Sequence, residues 1–461
     1  MKQAPGKRLE TALFAAFMLT LVWAPLPFAS NRPWATALLA ALLVLIALAY
    51  LLATMSAMLP VARSRWRRCR IPLLLLLPVQ IWACIQLIPL PSEWLQWLSP
   101  QAALWHLPAA YQTLSLDPAA TRWFLIESTI VVLGFTLTVA LVHSRRRVRL
   151  LLATLVFSGT LQAIYGSFMV LSGIEWGFFV EKYVNEGQAT GTFINRNHFA
   201  GYMALCLSAG GALLISLQQN TGIRSWRERT RQLLQQILGP ELLLRVCLLA
   251  MFIGLLLSRS RMGNAAFLAA LCAAALVATC VWGKLQPRRV LVAGALSAVG
   301  LALALWFARG HLLPLQMPDV ATEARYWSFQ YAYQMLLDFR WTGSGGGSFY
   351  GLFPNYQGPE VDSFHRHAHN DYLEFGIELG LPALGLLLLF VGWAMRQALR
   401  MQSHTSDRLQ RGVGFGITMA CLWGGLHALV DFNLQIPAIS LTLISLLGVI
   451  PAVLGATTSK K

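Results

Sequence analysis

Trp34-Ala-Thr-Ala-Leu-Leu-Ala-Ala-Leu-Leu-Val-Leu-Ile-Ala-Leu-Ala-Tyr-Leu-Leu-Ala53 is a run of twenty residues without a single charge, and its reading decides the fold. A helix of about 20 apolar residues covers the hydrocarbon layer of a bilayer. The run lies in a stretch at 34–59, and eleven more qualify, near 9–28, 71–90, 122–142, 150–172, 197–217, 243–258, 263–283, 290–308, 376–395, 412–430 and 435–455. Several contain Pro or Gly, which membrane helices tolerate. The composition agrees. Of the 461 residues 56% are hydrophobic and only 12% charged, and the mean hydropathy is +0.57. Soluble domains are about 25% charged, so a soluble enzyme and a disordered chain are both excluded. The expected fold is an all-α polytopic membrane protein of about twelve spans, a single transmembrane domain over 1–461.

Charge tests the count. With the amino terminus in the cytoplasm, the segments that alternate to that side hold 26 basic and four acidic residues. The opposite side keeps 10 basic and 15 acidic. One face is therefore +22 and the other −5. That is the positive-inside pattern, and a miscount by one helix would scramble it. It places both termini in the cytoplasm and predicts a multi-pass protein, with membrane lipids around it. The +17 net charge then needs no nucleic-acid partner. The stretch 224–231 reads as an amphipathic helix on the inner leaflet. The first span resembles a secretory signal but is expected to be retained, since eleven more follow. None of the seven cysteines has metal-ligand spacing or lies in a long outer loop, so a disulfide framework is not expected.

On the outer side, polar residues gather in four places: a Trp- and Pro-rich loop at 91–121, a loop at 173–196, the turn Ser258–Gly263, and the stretch 309–371. The first reads as an interfacial hairpin, with Trp94, Trp97 and Trp105 at headgroup depth. The last, a large loop inserted between two spans, is too long for a bare connection and should carry function. Within it Val320–Phe339 has helical character, with Asp319 as its cap, and Gly343-Ser-Gly-Gly-Gly-Ser348 reads as a flexible hinge or as amides that approach a phosphate or sugar.

After the glycines comes the densest polar cluster, His365-Arg-His-Ala-His-Asn-Asp-Tyr-Leu-Glu374. In extended backbone His365, His367, His369 and Asp371 would share one side, as a metal site requires, but no further ligand group is evident elsewhere. The histidines could equally make only hydrogen bonds. The third reading is that one of them is a general base for a hydroxyl nucleophile. Arg259 and Arg261, in the outer turn, and Arg196, at the mouth of a span, break the positive-inside pattern. Arginines can snorkel with no further role. A lipid-linked pyrophosphate in the outer leaflet would account for all three, because guanidinium binds phosphate bidentately.

These motifs together resemble the O-antigen ligase and Wzy-type O-antigen polymerase superfamily of bacterial inner-membrane glycosyltransferases. The resemblance lies in Gly191-Thr-Phe-Ile-Asn-Arg-Asn-His-Phe-Ala-Gly201, in Ser260-Arg-Met-Gly263, in Arg325-Tyr-Trp327 leading to Gly343-Ser-Gly-Gly-Gly-Ser-Phe349, and in His369-Asn-Asp-Tyr-Leu-Glu374 followed by Glu378-Leu-Gly380. It covers roughly residues 120–450. The resemblance implies glycosyl transfer from an undecaprenyl-pyrophosphate-linked glycan at the periplasmic face, without metal or other cofactor. His369 then looks like the base for the acceptor hydroxyl. Arg196, Arg261 and Arg259 look like the pyrophosphate contacts, and Arg325 like a further one. His367, Asn370 and Glu378 would hold these groups in position. Arg259 and Arg261 stand about 200° apart on a helix, so both can face one pocket only if the helix has ended between them.

Direct attack by an activated hydroxyl predicts inversion at the anomeric carbon, whereas a retaining route would need Asp371 or Glu374. The acceptor stays open: lipid A–core for a ligase, a growing polysaccharide for a polymerase of lipopolysaccharide or exopolysaccharide, or a protein hydroxyl. A chain-length regulator is a further partner to consider. Two other classes share the layout. A polysaccharide-lipid transporter or flippase usually shows internal repeats and charges at mid-membrane, whereas here no repeat is seen and the polar cluster lies in an outer loop. A structural partner in polysaccharide export would not need arginines at the outer edge beside a His-Asn cluster.

Overall fold

The computed structural model describes residues 5–60, 63–177, 180–182, 184–218, 241–282, 320–361, 365–403 and 405–455, with short pieces between 294 and 306. Along it run α1 Pro5–Trp23, α2 Pro33–Met55, the short basic α3 Arg63–Arg68, α4 Arg70–Ile85, α5 Ser92–Leu98, α6 Pro100–Trp105, α7 Pro118–Leu141, α8 Arg145–Ser172 and α9 Arg196–Leu217. Then come α10 Leu242–Leu257, α11 Arg261–Trp282, α12 Val320–Phe339, α13 Phe349–Leu352, α14 Asp371–Leu379, α15 Leu381–Ser403, α16 Arg408–His427, α17 Pro437–Gly448 and α18 Ile450–Gly455. The chain is an all-α polytopic membrane protein. Helices occupy eleven of the twelve apolar stretches, and among the described residues seven helical segments, with α17 and α18 taken as one, are long and apolar enough to cross a membrane on length and composition alone. The twelfth stretch, at 290–308, lies largely outside the described residues, as do 224–231 and Asp319.

Inside a bilayer, water offers helices no apolar surface to escape from, so close packing of small residues must hold them together. α16 shows how. Gly412 and Gly416, four residues apart and so on one face, meet α9: a Cβ on Gly416 would stand 2.7 Å from Ser208 O and 2.8 Å from Ala212 Cβ. Gly414 points the other way, where a Cβ would stand 2.7 Å from Ala398 O of α15. α16 is thereby clamped between α9 and α15, and Gln402 Nε2 donates to Thr418 Oγ1 at 2.9 Å inside the second seam.

Polar contacts sort the loops to two ends. At one end Arg147 bonds Glu10 at 3.0 Å, Arg145 Nη2 reaches Asp407 at 2.7 Å, and Arg68 bonds the carbonyl of Pro451 at 3.3 Å. All these segments carry the basic clusters. At the opposite end Thr192 Oγ1 donates to Pro25 O at 2.6 Å, and Trp82 Nε1 to Leu379 O at 2.9 Å. At that end the loop after α4 is a hairpin of α5 and α6, closed by β1 Leu90–Pro91 against β2 Tyr111–Gln112. Its Leu95, Ala102 and Leu114 share a small core with Ala332, Met335 and Phe339 of α12 and with Phe349 and Phe353. Trp94 and Trp97 stay 62% and 82% exposed, as an interfacial hairpin requires.

Gly416→Leu, which must push α9 away from α16, is expected to destabilise the protein by about 1–3 kcal/mol or more. Gly385→Leu, on a face of α15 with nothing within 4 Å, should leave the midpoint nearly unchanged. Thermal unfolding of both variants in detergent micelles checks the difference.

Candidate functional site

The site is built on α14. Asn370 caps it, its side chain accepting the Leu373 N–H at 3.0 Å, and Asp371 and Glu374 lie in its first turn, where the helix dipole favours acids. To enter the cap the backbone turns through the left-handed region at His369, φ +50°. Asp371 is buried and docks the helix onto the 428–436 turn between α16 and α17. Its Oδ2 accepts the Leu434 N–H at 3.1 Å and its Oδ1 the Gln435 amide at 3.3 Å, while its own N–H bonds Ala428 O at 2.9 Å.

That turn supplies the next shell of contacts. Asp431, 1% exposed, accepts the Phe432 N–H at 3.0 Å, and the same oxygen faces His369 Nδ1 at 3.3 Å. Burial alone would push the Asp431 carboxyl up. The His369 hydrogen bond and the nearby His198 and His427 imidazoles override it and hold the group below the usual carboxylate range. An ionised carboxylate on Nδ1 fixes the proton there, so Nε2 of a neutral His369 carries the free lone pair.

Phe432 is the hub. His367 stacks on its ring at 3.9 Å and 14°, His369 meets it at 5.1 Å, and His198 of α9 meets it edge-on at 4.7 Å. His198, in the first turn of α9, and His369 thus meet one aromatic ring, and Arg196 is the first residue of the same helix. The Asn197 side-chain oxygen, Oδ1, accepts from Ser260 Oγ at 2.8 Å, which ties the first turn of α9 to the turn before α11. α10 ends at Leu257, before both arginines, and α11 begins at Arg261, so no helix runs from one to the other, and Arg259 sits at φ +51°. Both arginines are exposed at this turn. Arg325 belongs to α12, and its side chain lies outside the described residues.

The four residues His365, His367, His369 and Asp371 do not converge as one ligand set. His365 faces Ser328 Oγ at 3.1 Å, His367 faces Glu374 at 2.7 Å, His369 faces Asp431, and Asp371 is turned onto the Leu434 N–H and the Gln435 side-chain amide. Among the described residues no group of three or more His, Cys, Asp or Glu side chains is placed to hold a metal. Glu374 is fully engaged, since its second oxygen accepts the Ala368 N–H at 2.7 Å. Burial alone would lower His367, but Glu374, with Glu378 and Glu127 behind it, raises it above its ordinary value.

The glycine run proves neither flexible nor open to a phosphate. Its amides are used internally: Ser344 N–H bonds Ile377 O at 2.9 Å, Gly345 N–H bonds Glu378 O at 3.0 Å, and Gly346 N–H bonds Gln86 Oε1 at 3.2 Å. Gly343 adopts φ +72°, and a Cβ there would overlap the Glu378 carbonyl. These are glycines of close approach. Glu378, buried and pushed up to about 8 by desolvation and by Glu374, accepts the Phe349 N–H at 3.2 Å and braces this turn. It makes no contact with His369.

A cavity of about 550 Å³ runs from this end down between α4, α7, α15, α16 and α17. Arg366, His367, Tyr350 and Glu127 line its upper part, and Leu76, Val132, Val391 and Leu443 are among its apolar walls. His369 and the three arginines of the α9 and α11 turns do not line it. Two residues of this region escaped sequence reasoning. Asp431 stands in Val430-Asp-Phe-Asn-Leu434, a single acid in the short break between two apolar runs, and Glu127 is an acid inside a span; an acid in either place is a recognisable signal.

Residues 246–388 match the family model described as O-Antigen ligase. The match includes Arg259, Arg261, Arg325 and the whole His365–Glu374 stretch, and leaves Arg196 and Asp431 outside it. No curated protein matches the chain.

The His367–Glu374 pair has a signature in stability. A histidine raised in the folded state stabilises fully below its unfolded value, near 6.5, and loses that contribution as pH rises through the folded value. The gap in melting temperature between wild type and Glu374→Gln is therefore expected to be widest below about pH 6 and to narrow above neutrality. Melting curves across that range test it.

Proposed function

We propose that this chain, whose residues 246–388 match the O-antigen ligase family model, belongs to the O-antigen ligase and polymerase superfamily and transfers glycan from an undecaprenyl-pyrophosphate donor to an acceptor hydroxyl. The reaction takes place at the periplasmic face of the bacterial inner membrane, with both termini in the cytoplasm. The observation that carries the reading is the pairing of His369 with buried Asp431, one phenyl ring away from the first turn of α9 and at the end opposite the basic loops.

The steps follow from that geometry. His369 Nε2 takes the proton of the acceptor hydroxyl as the oxygen attacks the anomeric carbon. The carbon–oxygen bond to the pyrophosphate breaks with its electron pair on the phosphate side. Arg196, Arg261 and Arg259 stabilise the charge that builds there, as guanidinium groups do on phosphate oxygens. One displacement inverts the anomeric centre. The engagement of both oxygens of Asp371 and of Glu374 supports this, because it leaves neither carboxylate available as a nucleophile. The step needs one proton acceptor and phosphate-binding cations, and so we propose it is metal-independent.

Purified protein in proteoliposomes with an undecaprenyl-pyrophosphate oligosaccharide and EDTA should form glycosidic product. His369→Ala should lower the rate by about 10²–10⁴-fold, and Arg261→Ala by about 10²–10³-fold. Transfer at the wild-type rate in His369→Ala would remove the base, and transfer that vanishes with EDTA would remove metal independence.

A further inference from the structure

His367 is the other imidazole on Phe432, and its surroundings differ from those of His369. The better-made histidine–carboxylate contact belongs to it: Nδ1 lies 2.7 Å from Glu374 Oε1, against 3.3 Å for His369 and Asp431. Glu374 cannot swing away, since it is buried and its other oxygen holds the Ala368 N–H. The imidazole cannot turn either, because it lies flat on Phe432. Its remaining nitrogen, Nε2, is therefore aimed by two constraints, and His367 is the histidine that opens onto the cavity between α7, α15 and α17. Arg366, stacked over Tyr350, stands beside it at the cavity mouth. Below them the walls turn apolar, as suits the lipid end of a donor.

We propose that His367 is the proton donor to the leaving pyrophosphate, so that two histidines on one phenyl ring act as acid and base on opposite sides of the reacting carbon. This rests on the reading of His369 as base. In the balanced step the acceptor proton goes to His369 Nε2 while the acceptor oxygen bonds the anomeric carbon. The departing oxygen keeps the electron pair of the broken bond and takes the Nε2 proton of His367. His367 ends neutral and His369 protonated, and exchange with solvent resets both. The charges around His367 favour its starting form. Glu374 and Glu378 of α14 and Glu127 of α7 face it, Arg366 adjoins it, and His369, His198 and Asp431 lie across Phe432. The carboxylates prevail, and the imidazole stays protonated to a higher pH than an isolated one.

The test is the pH profile of kcat for glycan transfer in proteoliposomes, with saturating undecaprenyl-pyrophosphate oligosaccharide. Wild type should lose rate on the alkaline side as His367 deprotonates. His367→Gln, which can still donate to Glu374, should be at least tenfold slower and should lack that alkaline limb. Added imidazole should restore part of the rate of His367→Ala. A His367→Gln variant that is slow but keeps the limb would reduce His367 to a packing role, and one within twofold of wild type would overturn the proposal outright. No glycan product from wild type at any pH would instead sink the transferase reading on which it stands.

Discussion

The outer end of this bundle depends on carboxylates taken out of water and satisfied by backbone and imidazole groups. A buried carboxylate without compensation is among the most costly features a fold can carry. Asp371 is compensated by the 434–435 segment, and this fixes where α14 starts relative to the turn between α16 and α17. Asp431 is compensated by the Phe432 N–H and by His369. Remove either arrangement and the other loses its reference: the cap at Asn370, the left-handed turn at His369 and the stack on Phe432 are all consequences of docking one short helix onto one loop. The glycine turn at 343–348 completes the seat, since its amides and the Gln86 side chain absorb the carbonyls at the far end of α14.

The two ends of the bundle solve different problems. At the basic end arginines pair with Glu10 and Asp407 or cap carbonyls, and they lie where helices terminate, so each can reach solvent or headgroups. At the opposite end Arg196 and Arg261 are the first residues of α9 and α11, where the dipole is positive already, and Arg259 lies in the turn before α11. The donor pyrophosphate we propose would meet these arginines from the adjacent leaflet.

Much of this was legible in the sequence for a physical reason: the bilayer enforces apolar runs about 20 residues long, and loop charge sorts them. The helix at Val320–Phe339 and the Trp-rich hairpin followed from the same local rules. His369, Arg196 and Arg261 stood out because polar groups are scarce in such a chain. What local reading missed was tertiary. The glycine run looked like a hinge, since composition cannot tell freedom from close approach; Glu378 and Ser115, remote in sequence, are what demand the missing Cβ atoms. His365, His367 and His369 looked like a ligand row on an extended strand, and each instead found a separate partner from α12, α14 or the 428–436 turn. Asp431 was hidden because its meaning depends on His369, 62 positions away.

The central claim is that an acceptor hydroxyl activated by His369 attacks the donor directly, with no glycosyl group passing through the protein. The anomeric configuration of the newly formed linkage, read by nuclear magnetic resonance of the product against the donor, tests it most directly. The account predicts inversion. Retention would contradict it, and would require a carboxylate nucleophile that the hydrogen bonding of Asp371 and Glu374 does not leave available.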